Sequence, residues 1–116
     1  MIGIDIETIK RIEFLVENKP AIVKKFFSKH EWEYANKKAK IAETLTGLWC
    51  AKEAVVKALS NRKSIQITDV EIRHHLNGGP FVYSICNQKF DLEYNIDISI
   101  SHTREYATAM ALVRFH

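Results

Sequence analysis

Long hydrophobic runs are absent from this sequence, and cysteine, proline and glycine are scarce. No stretch approaches the ~18 consecutive apolar residues of a membrane-spanning helix, and no signal peptide is recognisable, so we expect no membrane association. The two cysteines, Cys50 and Cys86, have no metal-ligand spacing and are too few for a disulfide framework. We interpret them as buried free thiols and expect a protein of the reducing cytoplasm.

The sequence has few of the residues that are typical of linkers between domains. There are only two prolines and four glycines, and no repeat, low-complexity tract or linker interrupts the sequence. Because 47% of the 116 residues are hydrophobic, the chain can fill one modest core. We therefore predict a single domain over residues 1–116. In domains of this size a neighbouring subunit often completes the clefts.

Positive charge is concentrated in the first half of the chain. Residues 1–63 contain 13 Lys+Arg and 8 Asp+Glu, whereas residues 64–116 contain 4 and 6. The basic half favours an anionic partner, which could be nucleic acid, a phosphorylated ligand or an acidic protein. Charge alone does not choose among these, and a solvated helix surface explains much of the lysine between Lys37 and Lys40.

Helical periodicity follows a short strand predicted over residues 2–6. Pro20 suits the first turn of a helix, and Ser28 with Glu31 three residues later forms a capping box that begins another. The longest helix is expected to present Glu53 and Lys57 on a face that adjoins its buried stripe. The predicted helices cover residues 8–16, 21–27, 28–38 and 39–59.

The second half of the chain changes to the two-residue period of strands. Alternation at Ile65 and Ile67 breaks near residues 68–69, and turns are predicted over residues 77–80 and 87–89. The predicted strands are residues 70–72, 81–86, 96–103 and 106–115, and the last is apolar on both faces. Helices followed by strands indicate an α+β fold, with one long helix packed on a small antiparallel sheet. The two-sided last strand implies that one sheet face meets the long helix or another subunit.

Two carboxylates and a lysine are the candidate chemical groups. Asp5 interrupts an apolar opening segment, and Glu53 and Lys57 lie one helical turn apart. A divalent cation is a good partner for buried carboxylates, and a lysine beside it suits a pyrophosphate. Alternatively, Asp5 caps the following helix, and Glu53 and Lys57 form an exposed pair worth only ~0.3–0.5 kcal/mol. The residues alone leave both interpretations open.

Three segments together resemble the signatures of a known family, in the order in which that family has them. They are Gly3-Ile4-Asp5-Ile6 with Ile9-Lys10-Arg11-Ile12-Glu13, then Ala51-Lys52-Glu53-Ala54-Val55-Val56-Lys57-Ala58, and finally Ile100-Ser101-His102-Thr103 with Tyr106-Ala107. The chain resembles the holo-acyl-carrier-protein synthases, the small trimeric type of 4′-phosphopantetheinyl transferase. Each motif alone is weak, but the three at suitable separations span nearly the whole chain.

The resemblance implies an enzyme with a defined reaction. Such transferases move the 4′-phosphopantetheine arm of coenzyme A onto a serine of apo acyl carrier protein and release adenosine 3′,5′-bisphosphate, in support of fatty acid biosynthesis. The reaction is a phosphoryl transfer, in which positioning and charge neutralisation matter most. By the same resemblance, the fold is that of a 4′-phosphopantetheinyl transferase and the assembly is a homotrimer.

The resemblance also assigns roles to individual residues. Asp5 and Glu53 are expected to hold Mg²⁺ and to act with Lys57 in catalysis. The predicted coenzyme A-binding residues are Lys57, Arg62, Gly79, Pro80, Ser101, His102 and Thr103. Arg11 is expected to meet an acidic helix of the carrier protein, and Lys25 to extend that surface. As simpler alternatives, His102 could bond to backbone at a strand end, and Gly79-Pro80 is a turn in any interpretation.

Two departures from the family pattern concern the 3′-phosphate of coenzyme A. Leu48 stands where members usually have a basic residue, and Ser60-Asn61-Arg62-Lys63 replaces a glycine-rich loop whose amides could approach phosphate. Arg62 or Lys63 could supply side-chain charge instead. A second hypothesis is a non-catalytic module whose basic helices bind nucleic acid or an acidic protein. The transferase is favoured because electrostatic binding has no need of Asp5 and Glu53, and no nucleic-acid motif is present.

Overall fold

The computed structural model describes residues 1–86, 88–89 and 94–115. Helices and strands follow one another as β1 (Ile2–Thr8), α1 (Ile9–Asn18), α2 (Pro20–Lys24), α3 (Lys29–Asn36), α4 (Ile41–Leu59), β2 (Val70–His74), β3 (Pro80–Ile85), β4 (Gln88–Lys89), β5 (Tyr94–His102) and β6 (Tyr106–Phe115). The predicted α+β order is confirmed. No described helix is both long and apolar enough to cross a membrane.

The helix boundaries follow from local signals in the sequence. Pro20 begins α2 at the position where a missing N–H costs nothing. The predicted capping box begins α3, since the Ser28 N–H donates to Glu31 Oε1 at 2.8 Å and the Glu31 N–H donates to Ser28 Oγ at 3.1 Å. Thr8 is the N-cap of α1, but its side chain makes no cap hydrogen bond.

One expectation about strands and turns is confirmed, and one was wrong. The break predicted near residues 68–69 is a 3₁₀ turn at Ile67–Asp69, in which the Gln66 N–H donates to Asp69 Oδ2 at 2.9 Å. The turn predicted at residues 87–89 is instead a two-residue strand at Gln88–Lys89 that pairs with β3. Asn87 lies outside the described residues.

The strands form two antiparallel sheets rather than the single sheet expected. Their strand orders are β1-β6-β5 and β2-β3-β4. In the first sheet, Asp5 of β1 pairs with Ala109 of the central strand, and Ala109 pairs on its other side with Ile100 of β5. Glu7 and His102 flank Ala107 in the same way. Because paired residues share a face, the side chains of Asp5 and His102 lie on the same face of the sheet.

Helix α4 packs diagonally across that face of the first sheet. Its N-terminal half approaches β5, since an added Cβ at Gly47 would lie 3.0 Å from Ile100 Cγ2. Its C-terminal half approaches β1 so closely that a Cβ at Gly3 would lie 1.9 Å from the Ala54 carbonyl oxygen. Only glycine fits at residue 3, and the small buried Ala107 and neighbouring alanines of β6 permit the same approach. The helix therefore carries its two ends to the two edge strands.

A buried ion pair joins the helices to the second sheet. Lys52 Nζ donates to Glu31 Oε1 and to the Phe26 carbonyl oxygen, both at 2.7 Å. Glu31 Oε2 accepts from the Ile72 N–H at 2.7 Å, so one carboxylate contacts α4, β2 and the start of its own helix. Both side chains are essentially inaccessible, at 1% and 0% exposure. Burial lowers the pKa of Lys52, and the Glu31 charge opposes that change.

The opposite face of the first sheet is apolar and exposed along β1 and β6. Ile2, Ile4 and Ile6 are 64%, 61% and 64% exposed, and Met110 is 45% exposed. Ile2 pairs with Leu112 and Ile4 pairs with Met110, so these side chains form one continuous patch. We call it the outer face. Exposed contiguous apolar surface of this kind marks an interaction site more often than a solvated one.

Candidate active site

Asp5 and Lys57 meet where α4 approaches β1. Lys57 Nζ donates to Asp5 Oδ1 at 2.9 Å and to the Ile4 carbonyl oxygen at 3.1 Å. The Asp5 side chain is 15% exposed and that of Lys57 is 52% exposed, so the carboxylate is sheltered and the ammonium faces solvent. The hydrogen bond to Asp5 raises the pKa of Lys57, which keeps the amine cationic. The structure thus brings together two of the three residues singled out as catalytic.

Glu53 lies close to this pair on the same helix. Among the described residues it forms no hydrogen bond or ion pair, and it is half-buried. Burial raises the pKa of Glu53, the Asp5 charge raises it further, and the Lys57 charge lowers it. Two carboxylates therefore repel each other in a sheltered place, and a cation between them would relieve that repulsion.

The thiol of Cys50 lies beside the carboxylates, one helical turn before Glu53. Its Sγ donates to the Ala107 carbonyl oxygen at 3.5 Å. Burial raises the pKa of Cys50 to about 12, with further contributions from the Asp5 charge and from a hydrogen bond to Asp5. The expected buried free thiol is confirmed for Cys50, and the protonated thiol is unsuited to ligate a metal.

The donor set at Asp5 and Glu53 fits a hard divalent cation. Among the residues that the structure describes, no three His, Cys, Asp or Glu side chains lie together, as they would in a metal site built from protein ligands alone. Mg²⁺ does not need such a cluster, since it is commonly held by one or two carboxylates and completes its octahedron with water and substrate phosphate. The site therefore suits Mg²⁺ bound together with a phosphorylated ligand better than a structural metal.

A second group of predicted residues lies at the other end of α4. Pro80 and His102 line a cavity of about 260 Å³ together with Leu48. Gly79 lies in the adjoining turn, where its N–H donates to Asn77 Oδ1 at 3.0 Å. His102 Nε2 lies 3.4 Å from Glu43 Oε1 in the first turn of α4.

The predicted site is divided within one chain. Glu43, beside His102, and Glu53, beside Asp5, are ten residues apart on α4, a distance of about 15 Å along the helix axis. The helix and the strand β6 separate the two groups. We call them the carboxylate group (Asp5, Glu53, Lys57) and the histidine group (Pro80, His102 and the neighbouring turn).

The remaining predicted residues have varied surroundings. Ser101 is exposed, and Thr103 Oγ1 accepts from the Tyr106 N–H at 3.1 Å, which holds the turn between β5 and β6. The guanidinium of Arg62 lies 4.3 Å from the centre of the Phe115 ring, a cation–π contact. Arg11 Nη1 donates to Glu7 Oε2 at 2.8 Å and is largely exposed, and Lys25 is exposed as well.

Several residues of these surroundings had no recognisable signal in the sequence. Glu43 resembles any acidic residue near a helix start, and only the packing of α4 against β5 brings His102 to it. His74 stacks on Tyr34 with ring centres 3.9 Å apart, and both line the cavity of the histidine group. Burial lowers the pKa of His74, and the charges of Lys38 and His30 lower it further.

Comparison with known proteins decides the family. The model of the 4′-phosphopantetheinyl transferase superfamily matches residues 1–111, which is nearly the whole chain. The chain belongs to this superfamily. The family, the fold and the expectation of an enzyme are thereby confirmed.

Relatives of this phosphopantetheinyl transferase carry one recurring name. A holo-[acyl-carrier-protein] synthase of Fusobacterium nucleatum subsp. nucleatum is 38% identical over 97% of this chain and 96% of its own length. The structure of the Helicobacter pylori holo-[acyl-carrier-protein] synthase, in complex with coenzyme A, aligns with a TM-score of 0.80 at 30% identity, over 98% of this chain and 100% of that one. A Bacillus anthracis structure of the same name, in complex with CoA (3′,5′-ADP), aligns with a TM-score of 0.79 at 26% identity, over 97% and 93%.

Proposed function

We propose that this transferase moves 4′-phosphopantetheine from coenzyme A to a serine of apo acyl carrier protein and releases adenosine 3′,5′-bisphosphate. The observation that carries the proposal is the meeting of Asp5, Glu53 and Lys57, an ammonium beside two sheltered carboxylates. The named relatives support the choice of substrates. In this proposal the enzyme is one domain over residues 1–116 and works in the cytoplasm. It supplies the modified carrier protein for fatty acid biosynthesis.

Asp5 and Glu53 are the residues that would hold Mg²⁺. The bound ion would neutralise charge on the pyrophosphate of coenzyme A and on its leaving group. Lys57 reaches the same place from α4 and already donates to Asp5, so it can donate to a phosphate oxygen as a point charge. Ordering these three groups before the substrate arrives lowers the cost of aligning the attacking hydroxyl with phosphorus.

The histidine group supports binding of the rest of coenzyme A. Its cavity of about 260 Å³ is lined by aromatic and apolar side chains with a few polar ones, which is usual for a cofactor site. We assign Gly79, Pro80, Ser101, His102 and Thr103 to this part, and Arg62 to a phosphate at the end of α4. Arg62 would have to leave its contact with Phe115 or share it.

To test the function, the protein is incubated with coenzyme A, Mg²⁺ and apo acyl carrier protein, and the mass of the carrier is measured by mass spectrometry. The carrier should gain the mass of one phosphopantetheine group, and adenosine 3′,5′-bisphosphate should appear in equal amount. An unchanged carrier, in the presence of a control transferase that modifies it, would contradict the proposal. Binding of nucleic acid by the inactive protein would then favour the non-catalytic module.

Arg11 and Lys25 are proposed to bind the carrier protein. Both are exposed on the basic half of the chain, and Arg11 has its guanidinium near the surface beside Glu7. Phe14 and Ile22 are also exposed, at 60% and 47%, on the neighbouring helices α1 and α2. Apolar anchors surrounded by basic residues suit a partner helix that is acidic with an apolar stripe.

Arg11→Glu is expected to raise the apparent KM for the carrier roughly tenfold or more while the KM for coenzyme A changes little. The reversed charge repels the acidic partner at encounter, and the wild-type KM for the carrier should itself rise with salt because exposed charges are screened. Steady-state kinetics with each substrate varied in turn measure both constants.

Lys37→Glu, the same reversal on an exposed lysine after α3, serves as the control and should leave both constants nearly unchanged. Equal increases of both KM values for Arg11→Glu would show that Arg11 serves the structure, through Glu7, rather than the carrier.

We propose further that the enzyme is a homotrimer with coenzyme A bound between subunits. The outer face is the support: apolar side chains of β1 and β6 are exposed in the single chain and would be buried against a neighbour. The division of the site points the same way, since the carboxylate group of one subunit could face the histidine group of the next. The number three comes from the family resemblance.

Mixing two inactive variants is expected to restore part of the activity. Subunits with Glu53→Ala retain the histidine group, and subunits with His102→Ala retain the carboxylate group, so a mixed trimer can contain an intact site between chains. The two proteins are unfolded, mixed, refolded and assayed for carrier modification, and each variant refolded alone provides the baseline.

Light scattering of the wild-type protein at assay concentration supplies the second measurement. An active monomer would contradict the assembly outright. An active trimer without restoration would keep the assembly and place both groups in the same subunit's part of the site.

A further inference from the structure

Glu43 has a contact that the reaction described above does not use. Its Oε1 lies 3.4 Å from Nε2 of His102, and the Glu43 side chain is 23% exposed against 51% for the imidazole. Among the described residues this is the one polar side-chain contact of His102. The separation is slightly longer than an N–H···O hydrogen bond, and such contacts commonly shorten when a substrate closes the site.

Glu43 lies at the start of α4, between two cavities. It belongs to the first turn of the helix. Its side chain lines two cavities, the one of about 260 Å³ shared with His102 and another of about 560 Å³ between α1 and the start of α4. The charged side chains that line the second cavity with Glu43 are Glu13, Glu17, Lys40 and Arg104.

The two ring nitrogens of a histidine are distinguished by what each contacts. A carboxylate beside Nε2 keeps the ring hydrogen on that nitrogen, and the other nitrogen is then an acceptor in the neutral ring. The cavity beside His102 is also lined by Tyr34, His74 and Pro80. Among the described residues none forms a hydrogen bond with His102 Nδ1, so that nitrogen has no partner that a molecule in the cavity would need to displace.

We propose that Glu43 is a positioning residue, which holds the Nε2 hydrogen of His102 and so fixes the ring with Nδ1 as a hydrogen-bond acceptor for the substrate. The proposal rests on the proposed function for the identity of that substrate, coenzyme A with the carrier protein. The contact itself belongs to the free protein. The donor that Nδ1 meets is an N–H or O–H group of the bound substrates, such as an amide of the pantetheine arm or the serine hydroxyl.

The first test requires no activity. In protein labelled with ¹⁵N-histidine, the chemical shifts of the ring nitrogens show which nitrogen carries the hydrogen, and His102→Ala identifies the His102 signals. The share of the Nε2–H form should be high in the wild type and in Glu43→Gln, which retains an acceptor oxygen, and lower in Glu43→Ala. An unchanged share in Glu43→Ala would overturn the proposal even if transfer is normal.

The second test is a double-variant cycle in the transfer assay. Glu43→Ala should lower kcat/KM roughly tenfold or more, the usual effect of losing a charge-assisted contact, and Glu43→Gln should lose less. Adding Glu43→Ala to His102→Ala should cause no further loss, because Glu43 acts through His102. Fully additive losses would overturn the proposal.

Glu13→Ala is the control, since Glu13 lines only the larger cavity and does not contact His102. It should leave both the ring signal and kcat/KM near wild type. Absence of transfer in the wild-type protein would count against the proposed function, whereas the ring signal would still decide the role of Glu43.

Discussion

Glu53→Ala is expected to lower the rate of carrier modification by at least about 100-fold while the protein stays folded. The substitution removes one of two proposed metal ligands, and Asp5 alone would hold the ion weakly. The fold should tolerate it because Glu53 has no hydrogen bond or ion pair among the described residues. Its loss even relieves repulsion with Asp5, since burial and the Asp5 charge raise the pKa of Glu53. The rate is measured by mass spectrometry of the carrier, and folding by thermal unfolding.

Glu33→Ala is a matched control, because Glu33 is exposed on α3 and its Lys29 contact is 3.9 Å long. Asp5→Ala should lose activity as Glu53→Ala does, but it also removes the partner of Lys57. Wild-type activity should vanish with a chelator and return with Mg²⁺ or Mn²⁺. Full turnover by Glu53→Ala would rule out the proposed metal site.

Lys52→Met is expected to lower the free energy of unfolding by about 3–5 kcal/mol, the usual cost of removing one partner of a buried ion pair. Methionine fills most of the space, but it leaves the Glu31 carboxylate uncompensated and the Phe26 carbonyl oxygen without a donor. Denaturant unfolding followed by circular dichroism measures the change.

Lys29→Met provides the control, since that lysine also contacts a glutamate but is 90% exposed, and the substitution should cost little. Replacing both partners, as Lys52→Met with Glu31→Leu, should not restore stability. The N–H groups of Ser28 and Ile72 would lose their acceptor in the double variant. A loss smaller than about 1 kcal/mol for Lys52→Met would show that water or a neighbouring group replaces the ammonium.

The capping box illustrates what a sequence can reveal about structure and what it cannot. Ser28 and Glu31 are three residues apart, so their mutual hydrogen bonds follow from local spacing and were predicted correctly. The other role of Glu31 was not predictable, because Lys52 and the Ile72 N–H are brought to it by packing between elements far apart in the chain.

The candidate site likewise has features that follow from local spacing and features that depend on long-range packing. Glu53 and Lys57 share a helix face by spacing alone, Asp5 stands out as a carboxylate in an apolar segment, and the family resemblance added His102. The contact of Lys57 with Asp5 depends on how α4 crosses β1, which no local pattern encodes. The distance between the carboxylate and histidine groups depends on the same crossing. The arrangement within one chain therefore emerged only with the sheet order β1-β6-β5.

Gly3 has a consequence for how this enzyme can change by mutation. Any side chain at residue 3 would clash with the Ala54 carbonyl oxygen, because the backbones of β1 and α4 are in close contact at this point. Asp5 is two residues along the strand, and Glu53 is one residue before Ala54. The spacing of the two carboxylates thus depends on a close contact between backbones. A side chain at residue 3 would push α4 away from β1 and so move the two carboxylates apart.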